Sequence, residues 1–204
     1  MSMGGFRFAA VILAAGSSTR MGQPKLLLPW RGTTVLAHTI EVWRELGAAE
    51  VAIVLAPGSP LASELPPGVT SIINSRPELG MFESIRCASR WTGWHTDITH
   101  FALILGDQPH LQPTTLRALM TFVAAHAADI CQPSRNGRGR HPVVMPRRIF
   151  AALQHSTAQH LKDFMFSEGR APARIEIDDP GLDLDLDTPE DYQRALLQDE
   201  KITI

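Results

Sequence analysis

Phe8-Ala9-Ala10-Val11-Ile12-Leu13-Ala14 runs directly into Ala15-Gly16-Ser17-Ser18-Thr19-Arg20-Met21-Gly22-Gln23-Pro24-Lys25. The first part contains no polar side chain, which predicts a strand covered on both faces. The second part is small and polar with two cations, which predicts a turn at the end of that strand. The apolar run is too short to span a bilayer. Its alanines resemble the cleavage region of a secretory leader, but the charged, glycine-containing loop that follows fits a buried strand and its turn better.

Outward from this stretch, strands and helices alternate. Thr33 to Leu46 reads as a helix with Val35, Leu36, Ile40, Val42, Trp43 and Leu46 as its apolar set and Gly47 as its stop. Val51 to Leu55 and Thr70 to Ile73 read as strands, Gly80 to Trp91 as a helix, and Phe101 to Leu105 as a strand ending at Gly106-Asp107-Gln108-Pro109. Pro113 to Ala125 reads as a helix with proline in its first turn, and Asp129 to Gln132 as a short strand. Pro133 to Arg140 reads as a mobile basic loop, followed by a short strand over 141–146 and two small helices to about Glu168. Arg174 to Ile177 and Leu182 to Leu186 read as late strands, before a last helix capped by Thr188 with Pro189 and acidic residues in its first turn. The expected fold class is α/β: three layers, a mostly parallel sheet with helices on both faces. Ligands bind such sheets outside the carboxyl ends of the strands, so the turns after Leu13 and Leu105 are where chemistry is expected.

The whole chain, residues 1–204, reads as one domain. With 44% hydrophobic and 20% charged residues it can fill one large core. A formal charge of -2 supplies no basic field for nucleic acid, so an anionic ligand must be held by local groups. Cys87 and Cys131 form no Cys-x-x-Cys pair, as expected of reduced thiols in a cytoplasmic protein. No membrane association is expected.

The first loop is built to grip phosphates. Small residues at 14–18 allow close approach to the backbone, whose amide N–H groups can point at phosphate oxygens. Arg20 adds a fork of donors and Lys25 a compact charge. Walker A is excluded, because Gly16 and Gly22 are one residue too far apart and Gln23 stands where lysine is required. The Gly-x-Gly-x-x-Gly pattern fails at Ser18. Elsewhere, Asp107 after an apolar strand suits a hard cation, which is typically held by one or two carboxylates plus phosphate and water. Asp183-Leu184-Asp185-Leu186-Asp187 would place three carboxylates on one strand face, unfavourable unless water or a cation screens them.

Leu-Ala-Ala-Gly-x-Ser-x-Arg-Met-Gly-x-x-Lys, read from Leu13 to Lys25, resembles the signature of the MobA-like NTP transferases, in particular their molybdenum cofactor cytidylyltransferase branch. The resemblance implies a Rossmann-like nucleotidyltransferase fold, with 1–110 as a nucleotide-binding half and 111–204 as an acceptor-binding half. It implies a nucleotide site at Leu13, Ala14, Ala15, Gly16, Ser17, Ser18, Arg20 and Lys25, with Arg20, Lys25 and Asp107 in catalysis. Gly106-Asp107-Gln108-Pro109 is similar to the family's metal turn, and relatives carry Asp or Asn just before Thr-Pro-Glu-Asp. Mg²⁺ is therefore expected on Asp107 and Asp187, with Asp185 as the alternate. Gly80-Met81-Phe82-Glu83-Ser84 resembles the base-facing segment and implies Gly80 and Ser84, with Asn74 as a weaker candidate and Phe82 and Glu83 as variable positions. Gly139-Arg140-His141-Pro142 resembles the acceptor-side turn and implies Arg138, Arg140, His141 and Pro142, with Arg135 nearby. The implied reaction moves CMP from CTP to a phosphorylated pterin, with pyrophosphate leaving and a molybdoenzyme or its chaperone as downstream partner. Guanylyl transfer, a sugar-1-phosphate acceptor, and a nucleotide-binding protein without turnover are the other readings.

Overall fold

The structure is a computed structural model that describes residues 6–16, 21–167 and 171–202. In chain order its elements are β1 (Phe8–Leu13), β2 (Pro29–Trp30), β3 (Thr33–Thr34), α1 (Val35–Glu45), β4 (Glu50–Leu55), β5 (Val69–Ile73), α2 (Met81–Arg90), β6 (His100–Leu105), α3 (Pro113–Ala125), β7 (Cys131–Arg135), β8 (Arg138–Gly139), β9 (Val143–Pro146), α4 (Arg147–Ala152), α5 (Leu161–Ser167), β10 (Ala173–Glu176) and α6 (Pro189–Ile202).

β1 lies inside a sheet ordered β10-β7-β9-β6-β1-β4-β5, with β8 beside β7. Strands β5, β4, β1 and β6 run parallel, and β9 is antiparallel to β6 and β7. All six β1 residues are buried, because each face of the strand has its own core. Phe8, Ala10 and Ile12 pack with α1 and α3 through Leu36, Ile40, Trp43, Leu116 and Leu119. Ala9, Val11 and Leu13 pack with α2, α4 and α5 through Phe82, Ile85, Phe150 and Phe164. Removing one large apolar side chain of this kind from water is worth about 1.5–3 kcal/mol. On the second face, Phe101 and Phe150 stack with centroids 3.9 Å apart, and Trp94 sits edge-on to Phe101 at 5.0 Å. The expected three-layer α/β fold is found.

The chain leaves β1 through α1 to β4 on one side, then returns through α2 to β6 on the other side. The order therefore reverses between β1 and β6, and the loops leaving those strands diverge to leave a crevice. Leu13 pairs with Leu105 in register, so both loops start at the same level.

Two segments differ from expectation. Pro133 to Arg140 is not a mobile loop: β7 extends to Arg135 and turns through Asn136 (φ 53) and Gly137 (φ 71) into β8. Two consecutive left-handed residues favour a tight hairpin whose twist matches its strands. Leu182 to Leu186 is not a strand either. Pro180–Asp183 forms a 3₁₀ turn, followed by an extended segment that joins no ladder among the described residues. The acid–apolar alternation remains, with Leu182, Leu184 and Leu186 buried, because tertiary contacts rather than strand pairing set it. A short hairpin, β2–β3, also stands between β1 and α1; it buries Trp30 and is fastened to α6 by Arg31, which donates to both carboxylate oxygens of Asp199 at 2.7 and 2.6 Å.

Candidate active site at the carboxyl ends of β1 and β6

A cleft of about 1090 Å³ opens where the order reverses. Leu13, Ala14, Ala15, Gly16 and Lys25 line one side, Asp107 and Asp185 the floor, and Gly80, Met81 and Ser84 the opposite wall. Ser17, Ser18 and Arg20 lie outside the described residues. The strand ends approach closely because of Gly106. A Cβ there would meet Leu26 Cδ1 at 3.0 Å and the Leu13 carbonyl oxygen at 3.3 Å, and the Gly106 N–H donates to that oxygen.

Lys25 begins a 3₁₀ turn anchored by buried Leu26. Its Nζ donates to Asp107 Oδ2 at 2.5 Å and to Asp187 Oδ1 at 3.2 Å. The side chains of Lys25 and Asp107 are mostly shielded, at 18% and 16% exposure. Burial presses the Lys25 pKa down, but the charge and hydrogen bond of Asp107, joined by those of Asp187, hold the ammonium above its usual value. The lysine is thus a firm cation between two carboxylates. Asp185 also faces the cleft and accepts from Gln108 Nε2 at 2.8 Å. Burial, then the charge of Asp107, push its carboxyl upward against the opposing Gln108 hydrogen bond. Asp183 turns away and receives Arg135 Nη1 at 2.6 Å and Arg140 Nε at 2.7 Å. The three aspartates therefore do not share a strand face, and each has a separate partner.

The acidic segment is held by a buried staple that no local sequence pattern reports. The Asp179 carboxylate, 2% exposed, accepts from Thr115 Oγ1 at 2.7 Å, Gly181 N at 2.8 Å and Gln112 N at 3.4 Å. His110 Nε2 lies 3.1 Å from the Gly181 carbonyl oxygen. Burial pushes the His110 pKa down despite that carbonyl, and Nε2, facing a carbonyl oxygen that can only accept, is the ring's donor. Leu186 N donates to the Asp107 carbonyl at 3.4 Å, completing the link between the two loops that carry carboxylates.

On the opposite wall, Asn74 and Ser84 come together. Asn74 Nδ2 donates to Ser84 Oγ at 3.0 Å. Asn74 is fully buried and stands behind Ser84, which lines the cleft. Gly80 precedes α2 with φ 85, a left-handed conformation that disfavours any side chain. Glu83, read as a variable position, is 3% exposed and accepts from Arg76, Arg90 and Arg86. The signal was present, since residues 83, 86 and 90 recur at helical spacing.

The acceptor-side residues fall outside the cleft lining. Arg138 is exposed on the hairpin, Arg140 is engaged by Asp183, and His141 Nδ1 lies 3.4 Å from the Leu103 carbonyl oxygen of β6. Arg140, together with Arg135, is tied to Asp183, two residues from the cleft-lining Asp185.

Asp107 and Asp187 are hard oxygen donors close enough for one atom to touch both, which fits a hard divalent cation that also keeps phosphate and water ligands. Among the described residues no group of three or more His, Cys, Asp or Glu could hold a metal ion. No helix among them is long and apolar enough to cross a membrane.

Comparison with known proteins agrees with this geometry. Residues 10–171 match the MobA-like NTP transferase domain. The molybdenum cofactor cytidylyltransferase of Escherichia coli is 26% identical over 188 residues, 91% of this chain and 93% of the relative. A probable molybdenum cofactor guanylyltransferase of Rhodopirellula baltica is 40% identical over 117 residues, 56% of this chain and 54% of the relative. The bifunctional protein GlmU of Alkaliphilus metalliredigens is 34% identical over 120 residues, which are 57% of this chain but only 25% of that much longer protein. Rv0371c of Mycobacterium tuberculosis superposes with a TM-score of 0.77 at 30% identity, covering 94% of this chain and 98% of that one, and it has also been solved in complex with manganese. With the domain matched over most of its length and the cleft at the expected strand ends, the chain is a nucleotidyltransferase that belongs to the MobA-like NTP transferase family.

Proposed function

We propose that this transferase moves CMP from CTP to the terminal phosphate of molybdopterin or the molybdenum cofactor and releases pyrophosphate, using Mg²⁺ held by Asp107 and Asp187. The observation that carries the reading is the contact of one Lys25 ammonium with Asp107, which lines the cleft, and with Asp187 beside it. The relative that supports the pterin acceptor and the cytidylyl choice is the Escherichia coli enzyme, because the match extends over nearly all of both chains.

In this reading residues 1–110 hold the nucleotide and residues 111–204 the acceptor. The open backbone of Ala14 to Gly16 receives the phosphates, and Ser84, held by Asn74, faces the nucleoside. An oxygen of the acceptor phosphate attacks the α-phosphorus; the new P–O bond forms as the bond to the β-phosphate oxygen breaks. The attacking phosphate is already largely ionised, since its second pKa is about 6, so no general base is needed. Bound Mg²⁺ supplies charge neutralisation and a template for the phosphate oxygens. Lys25 and Arg20 neutralise charge on the leaving pyrophosphate, and catalysis reduces to positioning and electrostatics. Arg138, Arg140, His141 and Pro142 are assigned to the acceptor, and Arg140 among them is bound to Asp183, two residues from Asp185.

The test is pyrophosphate release from the purified protein with Mg²⁺, each of CTP and GTP, and either molybdopterin or a sugar 1-phosphate. CTP with molybdopterin should give the fastest release. The match to the Rhodopirellula baltica protein makes GTP the second arm. Faster release with GTP, or with a sugar 1-phosphate, refutes the assignment of base or acceptor respectively.

A further inference from the structure

We propose that Lys25 is a resident cation that occupies the Asp107–Asp187 pair and must be drawn away by the nucleotide's phosphates before a divalent metal can bind there. The inference rests on the reading of those two carboxylates as the metal ligands.

The Nζ atom sits on one oxygen of each carboxylate that would hold the metal, at 2.5 Å from Asp107 Oδ2 and 3.2 Å from Asp187 Oδ1. A Mg²⁺ ion draws carboxylate oxygens to about 2.0–2.1 Å in a tight octahedral shell, and an ammonium seated between the same two carboxylates competes for the space where that shell would form. Two cations at touching distance also repel strongly in a shielded site. Metal and ammonium therefore compete for one place. Without a cation, two carboxylates brought together in a partly shielded place would repel each other, and Lys25 removes that penalty in the metal-free protein. The lysine has somewhere else to go. It lines the same cleft as Ala14, Ala15 and Gly16, and its flexible four-carbon stem can carry the ammonium from the floor to phosphates on that loop.

The consequence is a coupling. Metal alone must displace Lys25 into water and binds weakly. A triphosphate offers the ammonium a new partner while bringing ligands for the metal. Each ligand then strengthens the other by the same factor, as linkage requires. The device keeps the pair from loading a metal before substrate arrives.

The experiment measures Mn²⁺ binding to the full chain by electron paramagnetic resonance of the free ion, for the wild type, Lys25→Met and Asp107→Asn. Each is measured alone and with the non-hydrolysable α,β-methylene analogue of CTP. Lys25→Met should bind Mn²⁺ alone on the order of tenfold more tightly than wild type, within the usual range of coupling factors. Equal affinity of wild type and Lys25→Met for Mn²⁺ alone, with binding lost in Asp107→Asn, overturns the displacement while leaving the metal assignment standing. Unchanged binding in Asp107→Asn overturns the metal assignment and the inference together. Should Lys25→Met not fold, reductive methylation of the wild type followed by mass spectrometry answers the same question. Saturating Mn²⁺ without nucleotide should increase labelling of Lys25, and unchanged labelling overturns the proposal.

Discussion

Replacing Glu83 with alanine tests the ion cluster behind the cleft wall formed by Gly80, Met81 and Ser84. The carboxylate is 3% exposed, and it accepts from Arg76 Nη2 and Arg90 Nη1 at 2.9 Å each and from Arg86 Nη1 at 3.4 Å. The three arginines would respond differently to its loss. Arg76 and Arg90 are 56% and 44% exposed and can swing into water. Arg86 is 21% exposed, lies over the Phe82 ring, and is fixed by the carbonyls of Ser156 and Ala158. It stays as a half-buried charge that has lost its carboxylate. Removing one partner of a buried ion pair costs about 3–5 kcal/mol, and because two of the three arginines escape to solvent we take the lower end, about 3 kcal/mol. At about 2–4 °C per kcal/mol for a domain of this size, the melting temperature should fall by roughly 6–12 °C. Urea unfolding at neutral pH should show a lower midpoint with unchanged slope. The pH dependence has a definite sign. Burial pushes the Glu83 carboxyl upward, but the hydrogen bonds and charges of Arg90 and Arg76 outweigh it and hold the group below its ordinary value of 4.5. A folded-state pKa below the unfolded one gives stability that is complete above 4.5 and lost as pH falls through the folded value. The gap between wild type and Glu83→Ala should therefore be constant near neutrality and close below pH 4.5. A variant within about 0.5 kcal/mol of wild type at pH 7, the range of an ordinary surface substitution, would refute the reasoning.

Two further outcomes are expected. Lys25→Ala should lower turnover by about a hundredfold or more if the ammonium acts in the transition state; unchanged turnover with only a raised KM in steady-state assays would reject that role. Asp179→Ala leaves the donors of Thr115, Gly181 and Gln112 without their acceptor, and should cost about 3 kcal/mol in thermal and urea unfolding and also weaken Mn²⁺ binding, since the staple places the segment that ends in Asp187. Wild-type Mn²⁺ affinity in a destabilised Asp179→Ala would limit the staple to stability.

Much of the site was legible because it lies on local patterns. Leu13 to Lys25 and Gly106-Asp107 each follow an apolar run, and strand ends can be located from the run alone. What lay hidden involves distant residues. Asp179 meets Thr115 across 64 positions, and Lys25 meets Asp187 across 162. No local spacing reports such pairs. The error at Leu182 to Leu186 has the same source: alternation of acid and leucine reads as a strand, but the ladder that would make it one is not supplied by any neighbour among the described residues.

By itself, the sequence determined the alternation of buried strands and amphipathic helices and the small, polar turns at two strand ends, because periodicity and turn chemistry are local properties. The tertiary structure alone decided that β6 would lie beside β1, that Lys25 would sit on Asp107 and Asp187, and that the three aspartates of the late segment would part to Arg135 and Arg140, to Gln108 and to Lys25. Those outcomes depend on charges meeting through space, and a carboxylate's partner is set by which loops the sheet brings together.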